Sequence, residues 1–336
     1  MNIAMRMRSW SLLSGIARLL VAPLAAASLT FAALAARAAD DTATCPPAPV
    51  PLTPERFAAG MRDARNDHGF LWRISKGGRS SYLYGTIHAA RREWMFPGPT
   101  IVDAIRASDT VALELDVLDP DIQRRLAASI GSRRSDPLPP ALVRRLDQRM
   151  AVECVDAAAY GRFAPEFQVA SLSVMSARRD GIDPSYAIDL VLAILARDLG
   201  KPVVSLETPE AQMQALQMPS QEETVAFVEE GLDDLETGRV RPMLNRLAKV
   251  WVDGDYQQLR RYEQWCDCLR TPAERLATKR LLDDRNPALA AAIDALHDSG
   301  KQVFAAVGSL HMVGPLGLPE QMRQRGYKVE LGDFTR

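Results

Sequence analysis

The pattern of hydrophobic and polar positions predicts a β-hairpin near the start of the chain. Apolar residues dominate LWRIS and SYLYGTI, and the Gly77-Gly78 pair between these segments favours a tight turn, so the hairpin is expected over about 71–87. A short helix is predicted near 100–107, and the run TVALELDV that follows it is strand-like. A strand, a helix and a strand in this order are typical of the start of an α/β unit.

Helical periodicity dominates the middle of the chain. Apolar residues recur at three- and four-residue spacing over about 120–200 and again over about 208–298, and the apolar run KPVVSL separates the two blocks. The strand-like run KQVFAAVG, a helix over about 315–325 and a last strand in YKVEL complete the series. We therefore expect fold class α/β (α+β mixed), with a central sheet split in sequence by a large helical insertion.

The N-terminal segment is typical of a secretory signal. Residues 1–38 combine the basic Arg6 and Arg8, an Ala/Leu-rich apolar run and a small-x-small cleavage pattern (ARA). A Pro-rich linker over 39–55 and a single domain over 56–336 follow. The protein is thus expected to be exported to the periplasm or the extracellular space. The apolar run is nearly long enough to span a bilayer, so an uncleaved N-terminal anchor is the alternative.

Charge and cysteine content narrow the partners and the compartment. The formal net charge is −1 and both signs are interspersed, so nothing favours nucleic acid or an anionic membrane surface. The four cysteines are Cys45, Cys154, Cys266 and Cys268. In an exported chain they favour disulfides over a metal-thiolate site. A Cys266–Cys268 pair would close a strained ring, so longer-range pairings, such as one through Cys154, are expected.

Two of the four histidines directly follow predicted strands. His88 ends YLYGTIH and His311 ends AAVGSLH, and Gly85 and Gly308 stand three residues before them. The ends of α/β strands are where loops converge on a common crevice. A single Gly-x-x-His is a weak motif, but the same pattern in two matching contexts indicates one shared site. Two short matches are too few to establish that the chain contains duplicated halves.

Carboxylates accompany these histidines at strand ends. In TVALELDV a period of two puts Glu114 and Asp116 on one strand face, and Glu207 ends the KPVVSL run. Two imidazoles, a carboxylate and an open position suit Zn²⁺, Mn²⁺, Fe²⁺ or Co²⁺, which the sequence does not distinguish. The alternative is that Glu114 and Glu207 pair with Arg285 or cap neighbouring helices. The Gly-x-Ser-x-Gly, phosphate-loop, dinucleotide-binding and His-Glu-x-x-His motifs are absent.

An ordered series of motifs resembles the TraB/GumN family, which includes the animal TIKI proteases. The segments are LYGTIHAA, VALELD, GKPVVSLET, RNPALAAAI and FAAVGSLHMVGPLGLPEQMRQRGYKV, and together they cover about 70–330. The resemblance implies a fold related to the erythromycin-esterase-like and ChaN-like proteins. It also implies a divalent-metal site built from His88, His311 and Glu114. Arg285-Asn286 matches a family Arg-Asn pair, and an arginine there would bind a substrate carboxylate or stabilise an oxyanion.

The combined prediction is an exported metal-dependent hydrolase acting on a peptide or a small amide or ester. His88 and His311 would bind the metal, and Glu114 would either complete the coordination or act as general base. Glu207 or Asp116 would orient a histidine. Two alternatives remain, namely a non-catalytic metal- or haem-binding protein and a regulatory factor in surface-polysaccharide or peptide-signal handling. The sequence gives no indication of the oligomeric state.

Overall fold

A six-stranded mixed sheet lies at the centre of residues 45–131 and 137–332, which are the residues that the computed structural model describes. The strands are β1 Phe70–Lys76, β2 Arg79–Thr86, β3 Thr110–Leu113, β4 Val203–Ser205, β5 Val303–Gly308 and β6 Lys328–Leu331. Their order across the sheet is β4-β3-β5-β2-β1-β6. Strands β2, β5, β3 and β4 are parallel, whereas β1 pairs antiparallel with both β2 and β6. The predicted fold class and the sheet split in sequence are confirmed.

The predicted hairpin is present and its turn has two residues. Lys76 of β1 pairs with Arg79 of β2. Gly77 and Gly78 between them have φ values of +59° and +77°. Such turns need positive φ at both central residues, which glycine adopts without steric cost. The glycine pair therefore fixes the register of β1 against β2.

Helices surround the sheet and fill the two long connections on either side of β4. They are α1 Pro54–Asp63, α2 Pro99–Ala107, α3 Pro120–Gly131, α4 Pro140–Val152, α5 Ala157–Tyr160, α6 Pro165–Ser176, α7 Ile188–Asp198, α8 Pro209–Leu216, α9 Gln221–Glu236, α10 Val240–Val252, α11 Tyr256–Leu259, α12 Tyr262–Trp265, α13 Pro272–Leu281, α14 Asn286–Asp298 and α15 Leu318–Gln324. Short 3-10 turns lie at Arg92–Trp94, Ala177–Asp180, Pro184–Tyr186 and Ser309–Met312. Many of these helices begin with proline, whose fixed φ suits the first turn and whose missing N–H is not needed there.

Buried apolar residues of the described fold form two large groups and a small one, which contains Ala177, Ile182 and Ala248. The largest group packs strands such as β5 and β2 against helices that include α2, α7 and α14. A second group, containing Leu142, Leu172 and Leu232, joins α4, α6 and α9 within the helical insertion. The insertion therefore has apolar packing of its own beside the sheet. The expected boundaries of a single domain over 56–336 stay a prediction.

Two disulfides are present, and their pairing corrects one expectation. Cys45 pairs with Cys154, so the long-range bridge through Cys154 is confirmed. Cys266 pairs with Cys268, the partner that was rejected as too strained. Asp267 between them has φ +52°, and the two Cα atoms are 5.1 Å apart, which is within the range for a disulfide. Asp267 thus adopts a left-handed backbone conformation within the short ring.

The described helices are too short or too polar to cross a membrane. The predicted signal over 1–38 and residues 39–44 of the predicted linker lie outside the described residues. The rest of the linker is described, and α1 begins at Pro54, inside the expected linker range.

Candidate functional site

The four parallel strands end at one edge of the sheet, and the predicted residues follow them there. His88 comes two residues after β2, Glu114 directly after β3, Glu207 two residues after β4, and His311 three residues after β5. Parallel strands share the same carboxyl edge, which is where sites form in such sheets. The structure therefore brings residues from widely separated parts of the chain to one place.

Asp189 holds the imidazole of His88 in a fixed orientation. The Nδ1 of His88 lies 3.0 Å from Oδ2 of Asp189, in the first turn of α7, and Thr86 donates its hydroxyl to Oδ1 of the same carboxylate. An ionised aspartate only accepts hydrogen bonds, so Nδ1 carries the proton. Nε2 then faces Glu114, with 3.4 Å between Nε2 and Oε1. The side chain of His88 is 60% exposed, so this face of the site is open to solvent.

Asn286 holds the imidazole of His311 in the corresponding way. The Nδ1 of His311 lies 2.6 Å from Oδ1 of Asn286, whose Nδ2 donates to the carbonyl of Leu316. The second bond shows which end of the amide faces the ring, so Nδ1 is again the protonated nitrogen. Nε2 of this buried ring is left as an acceptor and lies 3.2 Å from Nη1 of Arg285.

Glu114 stands between the two histidines. Its Oε1 accepts the backbone N–H of Gly308 at 2.7 Å, and its Oε2 contacts Nη2 of Arg285 at 2.5 Å. A methyl group on Gly308 would lie 3.1 Å from Nε2 of His88, 3.3 Å from Oε1 of Glu114 and 3.7 Å from Cδ2 of His311. Gly308 therefore lines the space where the three side chains meet.

Arg285 and Glu207 complete the cluster. Arg285 precedes α14 and contacts both oxygens of Glu207, one of them at 3.1 Å from Nε. Gln212 of α8 donates to Glu114 and Glu207 at 3.1 and 3.2 Å. Glu114 and Glu207 thus both pair with Arg285, as the alternative interpretation of the sequence expected.

The two imidazoles have opposite protonation tendencies. Desolvation opposes protonation of His88, but Asp189 and Glu114 outweigh it and raise its pKa well above the ordinary value. Burial, together with the positive charges of Arg285 and His88, lowers the pKa of His311 to about 4 although Glu114 opposes this shift. Burial would raise the pKa of Glu114, but His88, His311 and Arg285 hold it well below its usual range. The negative charges of Asp189 and Glu114 thus favour the cationic form of His88, and burial favours the neutral form of His311.

The residue types gathered here, two imidazoles and a carboxylate, are ones that divalent cations commonly bind. Each Nδ1–H is engaged by an oxygen acceptor, the arrangement that commonly directs Nε2 of a histidine toward a metal. The oxygens of Glu114 supply the carboxylate that such sets include. As the described side chains stand, no three of His, Cys, Asp or Glu are grouped closely enough to hold an ion. The Arg285 guanidinium contacts two of the three donors, Glu114 and His311.

Two residues predicted to orient a histidine have other partners among the described residues. Strand β3 ends at Leu113, so its alternation does not extend to Asp116, which pairs with Arg197 at 2.6 Å. Glu207 contacts Arg285 and Gln212. The ring orientation comes instead from Asn286, already singled out through the Arg-Asn pair, and from Asp189, which was missed. Asp189 lies inside an apolar helical run, where nothing in the local pattern distinguishes it from a surface position.

A comparison with protein-family models identifies the chain. The model of the TraB/PrgY/gumN family matches residues 70–331. The chain belongs to this family. The matched range covers the sheet and both helical connections, and it contains His88, Glu114, Arg285 and His311.

The family model is the one comparison that gives a match. No curated protein and no solved structure matches the chain. The expected likeness of this TraB/PrgY/gumN member to erythromycin-esterase-like and ChaN-like proteins therefore stays a prediction.

Proposed function

We propose that this member of the TraB/PrgY/gumN family is an exported, metal-dependent hydrolase. One observation carries the proposal. The rings of His88 and His311 are each held through Nδ1, so that Nε2 of His88 faces the space lined by Gly308 and Glu114, and Nε2 of His311 faces Arg285, which also contacts Glu114. Holding two imidazoles in fixed orientations costs conformational entropy. Such fixed rings are typical of histidines whose Nε2 atoms bind a metal.

His88, His311 and Glu114 would hold the cation. A bound divalent cation at such a site acidifies water and polarises a carbonyl group. Glu114 would accept a proton from the attacking water at a carboxylate oxygen, or it would serve as a third ligand. Gly308 donates its N–H to Oε1 of Glu114, which keeps that oxygen directed at the shared space.

The open side of the site is consistent with a substrate that arrives from solvent. His88 is exposed, whereas His311, Glu114 and Arg285 are largely buried. A peptide or a small amide or ester would therefore approach over His88. The chemistry of the site supports hydrolysis of such a bond and does not distinguish among these substrates.

The disulfides support the exported location. Cys45–Cys154 and Cys266–Cys268 account for every cysteine in the sequence. Such bridges form and persist in oxidising compartments and are rare in the reducing cytosol of most organisms. Together with the predicted signal over 1–38, they favour the periplasm or the cell exterior.

Replacing Glu114 with glutamine tests the proposed reaction. The change keeps the size of the side chain and removes its charge. We expect the wild-type protein to cleave bonds in a peptide pool when Mn²⁺ or Co²⁺ is added. Glu114→Gln should cleave the same bonds at least about a hundredfold more slowly, since loss of a general base or of a ligand costs this much. Cleavage is followed by mass spectrometry, and bound metal by elemental analysis.

Matched controls separate the competing functions. Glu210→Gln changes an exposed glutamate paired with Arg125 and should cleave like the wild type. Equal metal content in the wild type and Glu114→Gln, with no cleavage by either, would contradict the enzyme and favour metal capture. Protein that neither binds metal nor cleaves would favour the regulatory alternative.

A further inference from the structure

Arg285 uses all of its hydrogen-bonding capacity inside the site. A guanidinium carries five N–H donors. Nε donates to Glu207; Nη1 donates to the Leu281 carbonyl at 2.9 Å and to Nε2 of His311 at 3.2 Å; Nη2 donates to Glu114 at 2.5 Å and to the second oxygen of Glu207. These contacts occupy five acceptor atoms. Arg285 therefore has no N–H left for a substrate carboxylate or an oxyanion while these bonds are in place.

The contact with His311 excludes a cation from the same nitrogen. Because Nδ1 of His311 donates to Asn286, Nε2 holds the only lone pair in the plane of this ring. That lone pair can accept from Nη1 of Arg285 or bind a metal, but it cannot do both. The guanidinium and a cation compete for His311, and they also compete for Oε2 of Glu114.

Charge makes the competition stronger. The side chain of Arg285 is only 13% exposed, and those of Glu114 and Glu207 are 6% and 9% exposed. Like charges repel more strongly where water is scarce, so a divalent cation and the guanidinium disfavour each other at close range. Without a metal, however, Arg285 is the cation that Glu114 and Glu207 share, and it helps to make the burial of both carboxylates tolerable.

Glu207 can keep its contact with Arg285 when the guanidinium releases Glu114 and His311. Its two oxygens accept from Nε and Nη2, which is a bidentate pair and the strongest geometry available to a guanidinium. The bonds to His311 and Glu114 can break while this pair persists. Glu207 thus anchors Arg285 beside the site with or without a metal.

We propose that Arg285 is a built-in competitor of the metal, which holds Glu114 and His311 in the metal-free protein and must withdraw toward Glu207 before a cation binds. The proposal rests on the proposed metal-dependent function and assigns to Arg285 control of metal affinity. Arg285 lowers the affinity of the site, so only a cation that binds both donors well displaces it. This gives Arg285 and Glu207 a positioning role rather than direct contact with substrate.

Metal titration of Arg285→Met tests the proposal. Mn²⁺, Co²⁺ and Zn²⁺ are titrated separately into the purified protein, and the Kd is measured by calorimetry. Methionine keeps an apolar stem of similar length and removes the five donors. We expect the Kd to fall by at least about tenfold, because a hydrogen bond to a charged group no longer has to be broken. Arg125→Met, which removes an exposed guanidinium paired with Glu210, should leave the Kd unchanged.

The outcomes separate this proposal from the one on which it rests. If the wild type binds metal and Arg285→Met binds it with equal or lower affinity, the competitor role alone is overturned. Absence of binding in both proteins overturns the metal proposal and the competitor role together. Binding by Arg285→Met where the wild type binds none supports both.

A second variant covers the case in which Arg285→Met fails to fold. Arg285→Lys keeps a positive charge beside Glu114 and Glu207 but offers three donors in place of five. A compact ammonium cannot reproduce the planar fork that reaches Glu207, Glu114 and His311 together, so we expect it to stay with the carboxylates and to release His311. We expect metal to raise the Tm of Arg285→Lys by more than that of the wild type, because stabilisation by a ligand grows with affinity. An equal or smaller gain overturns the competitor role.

Discussion

A methyl group added to Gly85 would contact side chains of the core, whereas one added to Gly308 would contact side chains of the site. On Gly85 it would lie 3.1 Å from Oγ of Ser309 and 3.4 Å from side-chain atoms of Phe70 and Met312, all inside the core. We expect Gly85→Ala to lower the free energy of unfolding by about 1–3 kcal/mol, because overpacking a dense core forces its neighbours apart. Denaturant unfolding measures this loss.

The same substitution at Gly308 should affect the site rather than the fold. Its methyl group would lie 3.1 Å from Nε2 of His88 and 3.3 Å from Oε1 of Glu114, so the side chains of the site have to give way. Alanine also reduces the entropy of the unfolded chain, which offsets part of any strain. We expect Gly308→Ala to unfold at a denaturant concentration near that of the wild type but to bind Mn²⁺ or Co²⁺ more weakly. If Gly85→Ala and Gly308→Ala lost equal stability, the assignment of Gly85 to the core and Gly308 to the site would be contradicted.

Residues at strand ends were predictable because each stands directly beside a recognisable strand. His88, His311, Glu114 and Glu207 are of this kind, and one edge of the sheet brings them together. Asp189 was not predictable, since its role depends on how α7 packs against the end of β2. The bonds of Arg285 depend likewise on tertiary structure, and the sequence indicated only that such a pairing was an alternative.

At the scale of elements, Asp180 fastens the turn Ala177–Asp180 to α10. Its carboxylate accepts from Arg241 at 2.6 and 3.0 Å and from Asn245 at 2.7 Å. The bond from Arg241 lowers the pKa of Asp180 against the opposing effect of burial, and Asn245 adds to the lowering. A lowered pKa in the folded state means that the ionised form stabilises the fold.

The sign of this shift fixes the expected pH dependence. The contribution of Asp180 is fully present above the ordinary aspartate pKa of about 3.9 and is lost as the pH falls through the lower folded value. We expect Asp180→Asn to have a lower Tm than the wild type at pH 6 and a shrinking difference below about pH 4. Arg241→Met should give the same profile, because it removes the other half of the pair. A Tm difference that stays constant from pH 7 to pH 3 would contradict the role of this contact.

The elements of the sheet followed from sequence more completely than those of the insertion. Glycine turns and apolar runs set off β1, β2 and β5, because period and turn chemistry are local properties. The helical blocks over 120–200 and 208–298 divide into more and shorter helices than the periodicity alone indicates. Their breaks depend on packing between helices, as in the group that joins α4, α6 and α9. Local patterns carry little information about such contacts.

At the scale of the whole molecule, the two disulfides should differ greatly in their effect on stability. Cys45–Cys154 spans 109 residues and ties the N-terminal end of the described chain to the helical insertion. Cys266–Cys268 spans 2 residues. A cross-link stabilises mainly by restricting the unfolded chain, and this effect grows with the length of the closed loop. Replacing Cys45 and Cys154 with alanine should therefore lower the free energy of unfolding by about 2–5 kcal/mol, as measured by denaturant titration.

Replacing Cys266 and Cys268 with alanine is the matched control, since it also removes one bridge and two sulfur atoms. Its effect should be smaller, because a loop of this size loses little entropy when it closes. A reducing agent added to the wild type should reproduce the loss seen without Cys45–Cys154, since both remove the long cross-link. A larger loss in the Cys266/Cys268 variant would contradict the entropic argument. If the long bridge carries this stability, the protein is less stable in a reducing compartment than in an oxidising one.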